Sequence, residues 1–264
     1  MRFLSYISNM AKNLDHLGIK SIVDSYDLFF IDLWGVVHNG IKLYDHSIEV
    51  LGNLTTAKKD FVLLTNAPRP NENVVNFLKK IGLKKYFENV FTSGEAAHKY
   101  LVSELDKQKF FHIGPPRDFD LFKNIEKNNV LNIEDADYLL CTGLFDDHEN
   151  DLNYYKNLLS NHISKKMICT NPDLIVDRGK KREYCAGSVA KSFEEIKGKV
   201  IYFGKPHPPV YNLSINVINK KVLCIGDNLN TDIKGANIQN FDSLLITNGI
   251  HRKEISEIEL KQVL

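Results

Sequence analysis

The sequence predicts an α/β protein: a parallel-sheet core with a second α/β domain inserted into it. Three observations predict it. Short apolar runs such as Leu28-Phe29-Phe30-Ile31 and Phe61-Val62-Leu63-Leu64 read as strands buried on both faces. Amphipathic stretches separate them, giving the strand–helix alternation of right-handed parallel crossovers. That rhythm weakens between Phe110 and Gly187, where runs are shorter and loops more polar, and then resumes.

The elements follow in order. Met1 to Leu17 mixes Arg2, Ser5, Asn9, Lys12, Asn13 and Asp15 with apolar residues, and reads as a short amphipathic helix rather than a signal peptide. The first strand ends in Asp32, followed by Leu33-Trp34-Gly35. Between Leu43 and Lys59, Ile48, Leu51, Leu54 and Thr55 share a helical face. The second strand ends in Thr65-Asn66, and Ala67-Pro68-Arg69-Pro70 breaks regular structure. Asn71 is placed to start a helix through Val74, Val75, Phe77, Leu78 and Ile81, with Gly82 to stop it. A third strand, from Asn89, runs into a helix over Glu95 to Leu105.

Three strands are expected in the insert, at Phe110-Phe111-His112-Ile113, Tyr138-Leu139-Leu140-Cys141 and Met167-Ile168-Cys169. An acidic loop, Leu144 to Asn150, lies between the second and third. The core rhythm resumes at Val200-Ile201-Tyr202-Phe203, ending in Gly204-Lys205-Pro206. Val222-Leu223-Cys224-Ile225-Gly226 ends in Asp227, and Ser243-Leu244-Leu245-Ile246 ends in Thr247-Asn248-Gly249. The expected division is residues 1–104 and 190–264 for the core and 105–189 for the insert.

Composition excludes several function classes. The 264 residues carry 34 basic and 33 acidic side chains, a net charge of +1, which leaves no electrostatic footprint for nucleic acid. No apolar stretch approaches the roughly 18 residues of a membrane span. Cys141, Cys169, Cys185 and Cys224 show no paired or zinc-type spacing, so buried reduced thiols and a cytoplasmic location are expected.

Four strands thus end in Asp32, Thr65, Lys205 and Asp227. In one parallel sheet those ends lie on a single edge, where open α/β sheets bind ligands. A carboxylate can act as a nucleophile toward phosphorus, a threonine can hydrogen-bond a phosphoryl oxygen, and a lysine can neutralise negative charge. The turn formers after Asp227 fold Asp232 back toward the same edge. Carboxylates crowded together raise one another's pKa, a conflict that Mg²⁺ resolves by binding a couple of them with water and a phosphate. Each residue also has an ordinary reading: Lys205 as a turn lysine, Thr65 as a strand-end residue, Asp232 as a first-turn acid. Their joint order favours a metal-assisted site for a phosphorylated ligand.

The chain resembles the haloacid dehalogenase superfamily. The resemblance is carried by Asp32-Leu33-Trp34-Gly35-Val36, Leu64-Thr65-Asn66, Gly204-Lys205-Pro206 and, most specifically, Gly226-Asp227-Asn228-Leu229-Asn230-Thr231-Asp232. Thr170-Asn171-Pro172-Asp173 and Ala186-Gly187-Ser188-Val189-Ala190 are similar to segments of the class IIA branch, which holds nucleotide, phosphoglycolate, pyridoxal-phosphate and p-nitrophenyl phosphatases. The resemblance implies a Rossmann-like core, an inserted α/β cap domain, Mg²⁺ and an aspartyl-phosphate. By position, Asp32 is the nucleophile and a metal ligand. The carbonyl of Trp34 and the Asp227 side chain are further ligands, and Asp232 supports the metal from its outer shell. Thr65 and Lys205 hold the phosphoryl group with Asn66 close by, and Asn171 and Asp173 face a small phosphorylated metabolite from the cap. Caps of this kind often contribute to dimer contacts, so the resemblance allows a homodimer, although the sequence itself does not fix the oligomeric state.

One departure stands out. Phosphatases of this family carry a second Asp two residues after the nucleophile, which protonates the leaving oxygen and then activates water; here that residue is Trp34. A class IIA subgroup with an Asp-x-Trp-Gly-Val-x-His-x-Gly first motif is similar. His38 and His251 can exchange protons near neutral pH, although a structural histidine is the ordinary reading of each. The leading expectation is a Mg²⁺-dependent phosphatase. Its alternatives are a phospholigand-binding or regulatory protein with weak turnover and, more distantly, a dehalogenase-type hydrolase, which has no need of Asp227 and Asp232.

Overall fold

The computed structural model describes residues 12–178 and 181–257. The helix expected over Met1 to Leu17 falls largely outside them, and residues 12–17 form loop and turn. The first sheet is built from β1 (Leu28–Ile31), β2 (Asp60–Thr65), β3 (Val90–Thr92), β11 (Val222–Gly226) and β12 (Asp242–Leu245), in the order β12-β11-β1-β2-β3. Every pairing in it is parallel. Helices α1 (Asp45–Thr56) and α2 (Asn71–Lys80) and the helix Lys234–Gln239 provide its crossovers, and α3 (Ser93–Glu104) leads out of it from β3.

Side-chain alternation along β1 sorts the core into two layers. Leu28 and Phe30 join one apolar cluster with Val62, Leu64 and Cys224. Phe29 and Ile31 join the other with Phe61, Leu63, Leu223 and Ile225. Leu51 and Leu54 of α1, and Val74 and Leu78 of α2, cover that second face at helical spacing.

From α3 the chain enters a second parallel sheet: β4 (Phe110–Ile113), β5 (Asn129–Val130), β6 (Tyr138–Cys141), β7 (Lys166–Cys169) and β10 (Lys199–Tyr202), in the order β10-β7-β6-β4-β5. Helices α4 (Leu152–Leu159) and α5 (Ala186–Glu195) cover one face through Tyr155, Leu159, Val189 and Phe193. Its other face shares the first cluster with the core sheet, through Phe110, Tyr138, Leu140 and Ile168. An antiparallel hairpin, β8 (Ile175–Arg178) with β9 (Lys181–Tyr184), precedes α5.

The run Val200-Ile201-Tyr202-Phe203 was expected in the core sheet; instead β10 pairs with β7 from Lys199↔Lys166 to Tyr202↔Cys169. With α5 also packed on the second sheet, the chain rejoins the core only after residue 202, later than the expected boundary at 189/190. Short apolar strands of two neighbouring parallel sheets look alike in sequence, and only their distant partners separate them. All four cysteines are free and buried. Among the described residues, no helix is long and apolar enough to cross a membrane.

Candidate active site

The core sheet reverses its winding between β1 and β11, and the crevice outside such a switch point is where open α/β sheets take ligands. Asp32 follows β1 and Asp227 follows β11, so the two carboxylates enter that crevice from adjacent strands. Thr65 ends β2, the neighbour of β1 on the other side. A turn of π-helix over Leu229–Ile233 brings Asp232 back to the same place, its Oδ2 accepting from the Asn228 N–H at 3.2 Å. Asp32, Asp227 and Asp232 each offer a carboxylate oxygen within 4.8 Å of the others, and all three are buried.

Lys205 arrives from the second sheet, three residues beyond β10. Its Nζ donates to Asp32 Oδ1 and, at 2.7 Å, to Asp232 Oδ1. Its backbone is gripped by Asn66: the Lys205 N–H donates to Asn66 Oδ1 at 2.7 Å, and Asn66 Nδ2 donates to the Lys205 carbonyl at 3.0 Å. Asn66 Nδ2 also donates to Asp173 Oδ1 at 3.1 Å, which ties the loop after β7 to the core.

Backbone geometry makes room for the Asp227 carboxylate. Gly35 has φ +88°, and a Cβ there would lie 2.1 Å from Asp227 Oδ2; one on Gly249 would lie at the same distance. The Ile250 N–H donates to that oxygen at 2.8 Å. Only glycine satisfies both the left-handed turn and the close approach at Gly35.

The electrostatics leave the cluster short of positive charge. Burial, then the neighbouring Asp232, pushes the Asp227 carboxyl up to about 7. Burial also raises Asp32 well above the usual carboxylate range, against the pull of Lys205. Burial opposes the Lys205 ammonium, but Asp232 and Asp32 outweigh it and hold the lysine charged. Three buried carboxylates face one buried ammonium. A hard, oxygen-preferring divalent cation fits that donor set.

These groups line a cleft of about 330 Å³ together with Trp34, Thr65, Asn66 and Asp173. Tyr44, Ile175, Val176 and Arg252 also line it, and no sequence pattern had singled them out. Ile175 and Val176 belong to β8, whose neighbourhood is too polar to read as a strand.

Asn171, expected in the site, and His38, His251 and the acidic loop, weighed for it but read as structural or solvated, lie elsewhere. Asn171 is buried and does not line the cleft; its Oδ1 accepts from the Asp173 N–H at 3.0 Å in a local turn. His38 is 3% exposed, packs edge-on against Trp34 and Phe77, and accepts from the Gly40 N–H at 2.9 Å through Nδ1. Burial lowers it to about 4, so it stays neutral and structural. His251 does not line the cleft, although Ile250 and Arg252 on either side do. The acidic loop is spent on ion pairs, Asp146 with Arg117 at 2.7 Å and Glu149 with Lys181 at 2.9 Å.

Comparison with known proteins bears on this geometry. A family model described as haloacid dehalogenase-like hydrolase matches residues 29–127, and a HAD-hydrolase-like model matches residues 202–263. A solved haloacid dehalogenase-like hydrolase from Brucella suis is 32% identical, with a TM-score of 0.81, over 91% of this chain and 95% of that one. The 5'-nucleotidase YutF of Bacillus subtilis is 23% identical over 87% of this chain and 90% of its own length. A 4-nitrophenylphosphatase of Schizosaccharomyces pombe is 25% identical over 93% and 92%.

Proposed function

Since this chain belongs to the haloacid dehalogenase-like hydrolases, in their class IIA phosphatase branch, we propose that it hydrolyses a small phosphomonoester with Mg²⁺ through an aspartyl-phosphate on Asp32. The observation that carries this reading is the bridge of Lys205 Nζ between Asp32 and Asp232, with Asp227 in the same carboxylate cluster. In this reading Asp32, Asp227 and the Trp34 carbonyl would hold the cation, with Asp232 in the same carboxylate cluster as its support. Mg²⁺ bound there supplies charge neutralisation, so that an anionic phosphoryl group can approach a carboxylate.

The chain's own residues do the rest. Lys205 holds one Asp32 oxygen and leaves the other to attack phosphorus in line. The Thr65 hydroxyl and the Lys205 ammonium are positioned to stabilise charge on the phosphoryl oxygens in the transition state. Asn66 fixes Lys205 rather than the substrate alone. Tyr44, Ile175, Val176 and Arg252 border the space left for the alcohol portion, a mixed lining that suits a compact, partly polar group. A binding protein without turnover would need no Lys205 bridge on the attacking carboxylate. A dehalogenase-type reaction would leave Asp227 and Asp232 without a purpose.

The test is phosphate release from a panel of phosphomonoesters in Mg²⁺, comparing wild type with Asp32→Asn. Loss of turnover in the variant supports the reading. Undiminished release in the variant refutes the nucleophile, and metal-dependent ester binding without release from wild type selects the binder.

A further inference from the structure

We propose that Asp173 is the group that moves the proton in this site, giving it to the departing oxygen and taking one from the attacking water. The proposal rests on the phosphatase reading above.

Breaking the ester bond of an alkyl or simple aryl phosphate leaves a strongly basic oxygen, so a proton donor is worth roughly 10²–10⁴ in rate. The donor must border the cleft and change charge readily. Asp32, Asp227, Asp232 and Lys205 are committed to one another and to the cation. Tyr44 is pushed up from its usual value by burial, which makes its phenol a poor proton donor near neutral pH. The Arg252 guanidinium does not deprotonate. Neither His38 nor His251 lines the cleft. Asp173 is the carboxyl that remains.

Its surroundings fit the role. The carboxyl accepts one side-chain hydrogen bond, from Asn66 Nδ2 at 3.1 Å. Burial, against the opposing pull of Lys205, brings it to about 6, close to the optimum for exchanging protons near neutrality. Its backbone is pinned. The N–H donates to Asn171 Oδ1 at 3.0 Å. A Cβ on Gly187 would lie 2.3 Å from the Pro172 carbonyl oxygen and 2.5 Å from that of Asp173, so the start of α5 presses directly on this turn. Ser188 Oγ then donates to the Leu174 carbonyl at 2.6 Å. The Asn171-Pro172-Asp173 and Ala186-Gly187-Ser188 segments, on either side of the β8–β9 hairpin, therefore form one mount. Its free end is the Asp173 carboxyl.

The step balances. An Asp32 oxygen bonds to phosphorus as the bond to the leaving oxygen breaks; that oxygen keeps the electron pair and takes the Asp173 proton, leaving as an alcohol. Water then bonds to phosphorus and gives a proton to the Asp173 carboxylate. The Asp32–phosphorus bond breaks, returning its electron pair to the carboxylate and releasing phosphate.

The test compares wild type and Asp173→Asn, in Mg²⁺, on aryl phosphates graded from 4-nitrophenyl to phenyl. The amide keeps an acceptor for Asn66. For phenyl phosphate, whose leaving oxygen needs the proton, the expected loss is about 10²–10⁴. With 4-nitrophenyl phosphate the first step proceeds unaided and the second is slowed. A burst of nitrophenolate and a phosphoenzyme visible by intact mass are therefore expected. Equal losses across the series without a burst, or no loss at all, overturn the assignment. If the amide variant does not fold, Asp173→Glu is run instead; it keeps a proton donor, and a dependence on leaving group as shallow as that of wild type is expected, a steep one overturning the assignment. Failure of the underlying reading looks different: wild type then releases no phosphate, or Asp32→Asn releases it equally well.

Discussion

Asn66 binds the backbone of Lys205 as a neighbouring strand would, accepting from its N–H at 2.7 Å and donating to its carbonyl at 3.0 Å. One side chain at the end of a core strand thereby captures a lysine delivered by the other sheet. Asn66→Ala removes both bonds and leaves two buried backbone groups of Lys205 unpaired. Each unmet group costs about 1–3 kcal/mol. We expect a clear fall in thermal stability together with a loss of turnover, because the Lys205 ammonium loses its anchor. Asn66→Ala with wild-type kcat would show that Lys205 is held by its ion pairs alone.

This capture also explains what the sequence did and did not disclose. Asp32, Thr65 and Asp227 each end an apolar run, and those runs are adjacent strands, so their meeting could be read from spacing and strand character. Lys205 was read into the same site, but from a strand of the wrong sheet. Nothing in Val200-Ile201-Tyr202 tells which of two parallel sheets will take it, since that is settled by pairing with Met167 to Cys169. The β8–β9 hairpin was missed because Asp177, Arg178, Lys181, Arg182 and Glu183 mask any alternation. Asn171 is placed in the site by motif position, and His38 is weighed as a proton carrier with a structural reading preferred. Each accepts a backbone hydrogen bond, from the Asp173 N–H and from the Gly40 N–H, a contact within a turn that no motif spacing reveals.

Gly35→Ala tests the space reserved for Asp227. The added methyl group would meet the carboxylate at 2.1 Å in a backbone conformation, φ +88°, that disfavours side chains. The loop must shift, and Asp227 with it. The expected result is a weakened Mg²⁺ affinity by calorimetry and a matching loss of activity at low Mg²⁺, partly recovered at high Mg²⁺. Unchanged affinity would mean that Asp227 does not hold the metal.

Mg²⁺ should also stabilise the fold, because the carboxylate cluster is short of cations. At a hundred times its dissociation constant, a ligand specific for the folded state adds about 2.7 kcal/mol. Lys205→Met removes the resident ammonium, and breaking a buried pair in this way costs about 3–5 kcal/mol. The variant is therefore expected to unfold at lower temperature without metal and to show a larger rise in Tm on adding Mg²⁺ than wild type. Turnover should still be lost, since the cation replaces the charge of Lys205 but not its hydrogen bond to Asp32. A smaller Mg²⁺ shift in the variant would place the cation elsewhere.

Stability should depend on pH through His112. Its Nε2 sits 2.8 Å from Thr142 Oγ1, it is 7% exposed, and burial lowers it to about 4. In the unfolded chain the imidazole returns to about 6.5. Above that value both states are neutral and the native packing of His112 contributes fully. Between about 6.5 and 4 the unfolded state binds a proton that the folded state refuses. Stability then falls by about 1.4 kcal/mol per pH unit from this residue. Asp227 and Asp173, whose carboxyls are raised in the fold to about 7 and about 6, work in the opposite direction over part of the same range. The contribution of His112 is therefore read as a difference. Denaturant unfolding of wild type and His112→Gln between pH 4.5 and 7 should give curves that converge as the pH falls, with the variant less stable at pH 7 and its deficit shrinking toward pH 4.5. Parallel curves would mean that His112 takes up its proton in the folded state, and that burial does not hold it neutral.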